Sequence, residues 1–341
     1  DNLLLDEVVV VGYGTLKRTD IATAVVSLRP NEFNTGGARD PMSLMEGKIA
    51  GLQITRTGGS NPNSGVAYQL RGVVSLTGSA SPLIVIDGIP DGNMDLVQPS
   101  DIEAIEVLKD GAAAAIYGSR ANAGVILITT KKGAKGKNYI EYNSFYTRHY
   151  VADRPDFLNA DEYRAMMNDP NNESAGKMVD YGSSTDFYDK LINKNNLTMS
   201  HNLSLSGGNE SIIYRGALYY NNYEGIGKQN DRKNYGGRLS LDGKAYDNML
   251  TMQLNMATNF NYANMLGGGE WETANTMNPT LGLHDEIEKV VNPINRLDDH
   301  RKKRNQQTSS VNGKVALEPV KNLILAITGS IQRNEWVDSE Y

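Results

Sequence analysis

Residues 82–133, PLIVIDGIPDGNMDLVQPSDIEAIEVLKDGAAAAIYGSRANAGVILITTKKG, decide the fold of the first part of the chain. Apolar, β-branched runs bounded by turn residues predict strands at residues 83–86, 102–108 and 125–130, and the alanines at 112–115 predict a short helical turn. The strands are apolar enough to be covered on both faces, and no catalytic constellation accompanies them. We therefore predict a compact mixed domain without an active site.

The composition excludes a disordered chain and a helical membrane protein. Of 341 residues, 39% are hydrophobic and 22% are charged, with a net charge of -6. No apolar run reaches the roughly 18 residues of a membrane-spanning helix, but membrane-spanning strands give a weaker signal and stay open as an alternative. The lack of cysteine excludes thiol chemistry and suits an oxidising periplasm. Since Asp1 opens directly on acidic and apolar residues, we expect a mature or trimmed form.

A four-valine run lies near the start of the chain, in DEVVVVGYG at residues 6–14. Its β-branched residues predict a strand, and the Gly-Tyr-Gly predicts where the strand ends. The strand has two interpretations. In the first, it is a buried strand of the first sheet of the chain. In the second, it is an exposed segment that adds to the edge of a partner's sheet through backbone hydrogen bonds.

From residue 139 onward the hydrophobic pattern has a period of two. Met199, Leu203 and Leu205 alternate with serines and an asparagine, and the same alternation returns at residues 248–262. A soluble sandwich would give this pattern too. The predicted strands are residues 139–147, 198–206, 211–223, 235–243, 248–262, 309–317 and 322–331.

The connections between these strands favour a membrane barrel over a sandwich. Short turns alternate with longer connections at residues 148–197, 224–234 and 263–308, as expected when one rim faces the periplasm and the other the exterior. We predict that residues 148–197 and 263–308 are extracellular loops, with short helices at residues 161–167 and 284–291. Arg215 and Arg238 lie on the faces of Ala217 and Ser240 in the alternation and are therefore expected on the lumen side, as the cost of arginine against lipid requires.

Three separated blocks, DEVVVVGYG, LRGVVSLTGSASPLIVIDGIP and IEAIEVLKDGAAAAIYGSRANAGVILITTKKG, together resemble the plug domain of the SusC/RagA branch of TonB-dependent outer-membrane transporters. The resemblance covers about residues 6–133. It implies a TonB-box segment at residues 1–20, a plug domain at 21–136 and the N-terminal part of a transmembrane β-barrel at 137–341. The residues that it assigns to the TonB box are Asp6, Glu7, Val8, Val9, Val10, Val11, Gly12 and Tyr13.

The expected fold class is a mixed α+β plug domain followed by antiparallel transmembrane β-barrel strands. Seven strands cannot close a barrel without unpaired backbone groups in lipid. A lumen that holds a folded plug needs about 22 strands, so we expect about 7 of 22 strands here. The break after Tyr341 is then expected in an extracellular loop.

The resemblance also implies the function: active import of a large nutrient, an oligosaccharide or oligopeptide, with the plug gated by force on the N-terminal segment. The implied partners are a SusD-like surface lipoprotein and TonB with ExbB and ExbD. A dimer of SusC–SusD pairs is a further assembly that it allows. The implied location is the outer membrane, with a multi-pass barrel and the plug on the periplasmic side. Candidate substrate-binding residues lie in polar plug loops: Asn61, Asn63, Ser64, Ser75, Thr77 and Ser79.

We predict no enzymatic activity, cofactor, metal site or nucleic-acid partner. The four histidines, His149, His201, His284 and His300, lack metal-ligand spacing. Three other functions stay open. They are a TonB-dependent receptor for an iron chelate or cobalamin, a passive porin, which an internal plug argues against, and a soluble periplasmic all-β binding module.

Overall fold

The computed structural model describes residues 8–11, 14–17, 25–34, 39–56, 58–70, 72, 81–109, 117–136, 138–265, 269–287, 290–321 and 323–341. Within these ranges the strands are β1 Val8–Val11, β2 Gly14–Lys17, β3 Val25–Leu28, β4 Leu52–Arg56, β5 Val66–Leu70, β6 Leu83–Ile86, β7 Ile89–Pro90, β8 Ile102–Leu108, β9 Val125–Thr130, β10 Tyr139–Thr147, β11 Thr198–Gly208, β12 Ile212–Glu224, β13 Asn230–Ala245, β14 Leu250–Met265, β15 Lys302–Val320 and β16 Leu323–Glu340. The α-helices are α1 Ala160–Met167, α2 Phe187–Leu191, α3 Gly269–Thr276 and α4 Pro293–Asp299. Short 3-10 helices lie at Pro41–Met45, Met94–Leu96, Pro99–Asp101, Gly118–Ala121 and Ala175–Lys177.

The first domain is built on a five-stranded sheet with the order β3-β8-β9-β6-β7. The three strands predicted in residues 82–133 are confirmed, with β6 parallel to β9 and β8 antiparallel to it. Both faces of the sheet are covered, as predicted: Ile126 and Ile128 pack into one apolar cluster, whereas Val125 and Leu127 pack into another. The predicted helical turn at residues 112–115 lies outside the described residues. The sheet is thus the middle layer between two apolar clusters.

The valine run forms strand β1, which confirms a strand at residues 8–11. It pairs antiparallel with β2, so that Val8 lies opposite Lys17 and Val11 opposite Gly14, in a two-stranded sheet separate from the five-stranded one. The interpretation as a strand of the first sheet is therefore wrong. A two-stranded ribbon has backbone groups along its outer edges, and these can pair with a further strand.

Strands β10 to β16 form one antiparallel sheet in sequence order, which we call the wall. All seven predicted strands are confirmed, but several are longer than predicted. Strand β15 begins at Lys302 and β16 ends at Glu340, because polar side chains pair across the ladder where the apolar alternation has ended. Arg304 Nε, for example, donates to Asp338 Oδ1 at 2.7 Å.

The longer strands shorten two of the predicted connections. The one after β10 spans residues 148–197 as predicted, but the predicted loop 263–308 spans only residues 266–301, and the predicted 224–234 spans residues 225–229. The opposite ends of the strands are joined by residues 209–211, 246–249 and 321–322. We call the two ends of the wall the long-loop rim and the short-turn rim.

In its inner strands, β11 to β15, the wall has most of its buried residues on the polar face, whereas the apolar face is largely exposed. On β11, Ser204 is 1% exposed and the adjacent Leu203 is 49% exposed. On β14, Asn259 is buried while Met252 and Met256 are exposed. A soluble sheet would have the opposite arrangement, whereas strands between lipid and a polar lumen have this one.

An aromatic row crosses the apolar face close to the long-loop rim. His201, Tyr220, Tyr235 and Phe260 lie opposite one another on adjacent strands. The rings of Tyr235 and Phe260 stack with centroids 5.3 Å apart. Aromatic rings collect at the boundary between lipid and water, so this row marks the edge of the apolar band. No helix within the described ranges is long and apolar enough to cross a membrane.

The two long connections fold into a module above the wall. The helix predicted at residues 161–167 is confirmed as α1, whose capping box joins Asn159 and Glu162. The prediction of a helix at residues 284–291 is wrong, since its described residues, 284–287 and 290–291, are not helical. The helix α4 follows that segment, because Asn292 caps it and Pro293 begins it. The module has its own apolar core, formed by Phe187, Leu191, Ala274, Met277, Leu281, Ile294 and Leu297.

Candidate functional site

The first domain packs against the polar face of the wall and reaches both rims. At the long-loop rim, the backbone N–H of Ile226 donates to Ser60 Oγ at 3.0 Å and Asn63 Nδ2 donates to the Asn264 carbonyl at 2.7 Å. At the short-turn rim, Lys135 Nζ lies 2.6 Å from Glu210 Oε2. The loop at residues 58–65 therefore lies at the end of the wall that carries the long connections.

Two buried ion pairs fix the domain to the wall between these rims. Arg215 Nη2 lies 2.9 Å from Asp101 Oδ1, and the two side chains are only 8% and 4% exposed. Arg238 pairs with Asp87, whose carboxylate also accepts the backbone N–H of Thr130 at 2.9 Å. The prediction that Arg215 and Arg238 lie on the inner side is confirmed. Each carboxylate is thus covered together with its partner from the wall, so removing either partner would leave the other as an unpaired charge inside the interface.

Hydrogen bonds between uncharged side chains add to these ion pairs at the interface. Asn221 Nδ2 donates to Gln98 Oε1 at 2.9 Å, and Ser200 Oγ donates to Asn221 Oδ1 at 2.6 Å. Among the described residues, buried atoms such as Asn202 Oδ1 and Ser204 Oγ have no hydrogen-bond partner in the chain. Water can replace hydrogen bonds of this kind at a small net cost in free energy. The interface therefore differs from the apolar core of the domain in how easily it can be hydrated.

A cavity of about 160 Å³ lies between the domain and the wall at the long-loop rim. Strands β12 and β13 contribute Tyr223 and Arg232, and the domain contributes several charged side chains. Two ion pairs border the cavity: Arg56 Nη2 with Asp40 Oδ2 at 2.6 Å, and Arg232 Nη2 with Asp95 Oδ1 at 2.9 Å. Three arginines and two aspartates therefore meet there, including Arg39.

Arg39 is the least compensated of these arginines. Its two terminal nitrogens donate to the carbonyls of Ser60 and Gly59, both at 3.2 Å. Burial and the neighbouring charge of Arg56 hold the pKa of Arg39 below its ordinary value. Burial and the charge of Arg39 also lower the pKa of His149 at the start of the first long connection. Burial is the larger cause of both shifts, and the charge of a neighbouring arginine adds to it in each case.

Of the predicted substrate-binding residues, one lines the cavity, two make hydrogen bonds in the loop or to the wall, and three lie outside the described residues. Ser64 lines the cavity. Asn61 Oδ1 accepts the backbone N–H of Asn63 at 2.8 Å and so shapes the loop, while the amide of Asn63 is bonded to the wall. Ser75, Thr77 and Ser79 lie outside the described residues, as do Asp6, Glu7, Gly12 and Tyr13 of the predicted TonB box. Their binding roles stay predictions.

No pattern in the sequence indicates that the arginines of the cavity lie together. They come from the segment before the first 3-10 helix, from β4 and from β13, so no spacing connects them. The described ranges contain no group of three or more histidine, aspartate or glutamate side chains placed to hold a metal ion.

A second cavity, of about 520 Å³, lies in the module of the long connections. Arg154 borders it and donates through two nitrogens to Asp186, at 2.6 and 2.9 Å. Asp186 also caps α2 by accepting the backbone N–H of Asp189 at 3.0 Å. Burial acts to raise the pKa of Asp186, but the hydrogen bonds from Arg154 and Asp189 outweigh it and lower this pKa below 3.8.

This ion pair predicts an acid limit for the module. A carboxylate whose pKa is lower in the folded state stabilises that state above its unfolded pKa of 3.8, and the contribution is lost as the pH falls through the folded pKa. We expect the amides of α2 to stay equally protected between pH 7 and 5 and to lose protection below about pH 4. Hydrogen exchange, corrected for its intrinsic pH dependence, measures this. In Asp186→Asn, protection should be lower throughout and should not fall further in acid; an unchanged acid response would contradict the assignment.

A small mixed domain lies on the polar face of a sheet, held there by ion pairs, and the other face of the sheet is apolar. This arrangement is typical of receptors in which a plug fills the lumen of a β-barrel. The family model for the TonB-dependent Receptor Plug Domain matches residues 17–125. Two relatives are the TonB-dependent receptor SusC of Bacteroides thetaiotaomicron, 35% identical over 266 residues, and the TonB-dependent receptor P26 of Formosa agariphila, 33% identical over 279 residues. These alignments cover 75% and 77% of this chain but only 26% and 27% of the relatives.

The solved structures agree with this comparison at the level of fold. The RagAB peptide importer in its open-open state superposes with a TM-score of 0.82 at 21% identity, over 98% of this chain and 43% of that one. The ferric citrate transporter FecA gives a TM-score of 0.58 at 14% identity, over 93% and 40%. The chain belongs to the SusC/RagA type of TonB-dependent receptors. It spans about a quarter of the length of these curated relatives, and its fold class, a plug followed by antiparallel barrel strands, is confirmed.

Proposed function

We propose that this chain forms the plug and the first barrel strands of an outer-membrane importer that takes up a large nutrient, an oligosaccharide or an oligopeptide, by TonB-dependent transport. The observation that carries the proposal is the polar interface between plug and wall. A plug whose anchoring contacts include buried ion pairs and hydrogen bonds can exchange these for water and leave its position while its apolar core stays closed. A plug that sealed the barrel permanently would need no such interface.

The two faces of the wall support a location in the outer membrane. The exposed apolar band and the aromatic row near the long-loop rim match strands that cross a bilayer. The long-loop rim is then extracellular and the short-turn rim periplasmic, since outer-membrane barrels have short periplasmic turns and longer outer loops. The exposed apolar face also argues against the soluble all-β module, because such a face would aggregate in water.

The N-terminal ribbon is the proposed point at which force is applied. Strand β1 forms a two-stranded sheet of its own, so its backbone can pair with a strand of TonB, which ExbB and ExbD energise. Pulling on this segment would first break the polar contacts of the plug, which rehydrate as they part. A SusD-like lipoprotein would cover the long-loop rim, where residues 148–197 and 266–301 form the outer module, and two such pairs would make the dimer.

Removing the N-terminal segment tests this function. In the full-length receptor, deletion of residues 6–13 should reduce uptake of the nutrient to the level of a strain without TonB, while the Kd for the nutrient stays within about twofold, because the cavity at the long-loop rim is untouched. Uptake of labelled nutrient by cells and binding to purified receptor are the two measurements.

A pair of point variants controls for the deletion itself. Val9→Pro removes a backbone donor from β1 and should also stop uptake, whereas Val9→Thr keeps a β-branched residue and should retain it. Undiminished uptake after the deletion would instead identify a passive porin. Uptake of an iron chelate or cobalamin alone would keep the mechanism and change the nutrient.

A further inference from the structure

The cavity of about 160 Å³ at the long-loop rim contains an arginine, Arg39, that has no carboxylate partner among the described residues. Arg56 is paired with Asp40 and Arg232 with Asp95, so both aspartates are engaged. Arg39 donates only to two backbone carbonyls, and among the described residues no carboxylate lies within ion-pair distance of it. Within the part of the chain that the structure describes, the cavity therefore holds one positive charge more than its carboxylates neutralise.

A half-buried guanidinium without a counter-ion is unfavourable, since burial removes water from the charge without replacing it by an opposite one. The nearest cations make this worse: Arg56 and Arg232 both act to lower the pKa of Arg39, and only Asp40 and Tyr223 oppose them. An anion in the cavity would relieve this cost. The geometry thus favours binding a negative charge over binding a neutral group.

We propose that Arg39 binds a carboxylate of the transported nutrient in this cavity. That the ligand is the transported nutrient rests on the proposed function. The binding of a carboxylate by Arg39 does not depend on transport. A planar carboxylate can accept two parallel hydrogen bonds from a guanidinium, which makes this pairing strong and directional. Ser64 and Gln98 provide further polar groups on the cavity wall.

The size of the cavity shows how much of the nutrient it can hold. Pockets that enclose a whole drug-sized ligand measure about 300–1,000 Å³. A cavity of about 160 Å³ therefore accepts one acidic end or side group, while the rest of the oligomer extends toward the long-loop rim. Two nutrients carry such a group: an oligosaccharide with uronic acids and an oligopeptide with its terminal or side-chain carboxylates.

Small probes test the site directly on the full-length receptor in detergent. The probes are galacturonate and N-acetylglycine, each with its uncharged counterpart, methyl galacturonate ester and N-acetylglycinamide. Saturation-transfer NMR should show binding of at least one acid and at least tenfold weaker binding of its counterpart. A response to galacturonate alone identifies the sugar, and a response to N-acetylglycine alone identifies the peptide. Equal responses to acids and uncharged counterparts would overturn the proposal, as would no binding of either acid.

Variants link the response to Arg39. Arg39→Gln should weaken binding of the acid at least tenfold, and Arg39→Lys should restore part of it, since a lysine keeps the charge but not the bidentate geometry. Arg120→Gln is the matched control, because Arg120 is exposed, pairs with Asp91 and does not line the cavity. Full binding by Arg39→Gln would refute the assignment. The receptor lacking residues 6–13 should bind the acid as the wild type does, so failure of transport and failure of this site are separate results.

Discussion

Replacing Arg215 by methionine should release the plug from the wall in the full-length receptor. Asp101 would stay buried against the wall without its partner, and breaking a buried pair in this way costs about 3–5 kcal/mol. Methionine keeps most of the volume of the side chain, so the loss measures charge rather than a cavity. A cost of that size raises the fraction of receptors with an undocked plug by about a hundredfold or more.

A cysteine on the wall makes this fraction measurable. Ser204 is covered at the interface and its hydroxyl has no hydrogen-bond partner among the described residues, so Ser204→Cys should be tolerated. Since this sequence contains no cysteine, a single thiol reports on this position once any cysteine elsewhere in the receptor has been removed. Its labelling by a water-soluble maleimide should accelerate by about a hundredfold in Arg215→Met.

Two comparisons separate the ion pair from other causes. Adding Asp101→Asn to Arg215→Met removes the isolated charge and should recover most of the loss, as expected for a coupled pair. Lys132→Ala breaks a more exposed pair with Asp242 at 2.9 Å and should change labelling by less than about fivefold. Equal effects of Lys132→Ala and Arg215→Met would mean that the buried pair does not hold the plug.

The sequence predicted the strands because a period of two is a local signal. In the apolar band, each strand must place one face against lipid and the other toward the plug, so the residue types alternate strictly, as Leu203 and Ser204 do. Beyond the band, both faces are in water and the alternation ends. Strand β15 therefore begins at Lys302, where no apolar pattern marked it.

The contacts of the plug could not be predicted in the same way. Arg215 was assigned to the inner face from its position in the alternation, but its partner Asp101 lies 114 positions earlier in the chain. Nothing in either local sequence identifies the other. The cavity around Arg39 needs three elements to meet, so it too required the folded structure.

The largest effect on the wall is expected from Leu218→Arg. Leu218 lies in the centre of the apolar face, 66% exposed in this chain, between Leu203 on β11 and Gly237 on β13. An arginine in the middle of a lipid-facing band costs about 2–4 kcal/mol, since its charge must be drawn toward water or hydrated inside the membrane. Reversible unfolding of the receptor in lipid vesicles, with urea as denaturant, measures this loss.

The same substitution outside the band should cost much less. Tyr246 lies in the short turn between β13 and β14 and is exposed, so Tyr246→Arg places the charge in the headgroup region or in water, at a cost of about 0–1 kcal/mol. The dependence on depth distinguishes lipid from solvent: a soluble sheet would tolerate arginine at Leu218 as well as at Tyr246. Equal stability of the two variants would therefore disprove that this face of the wall contacts lipid.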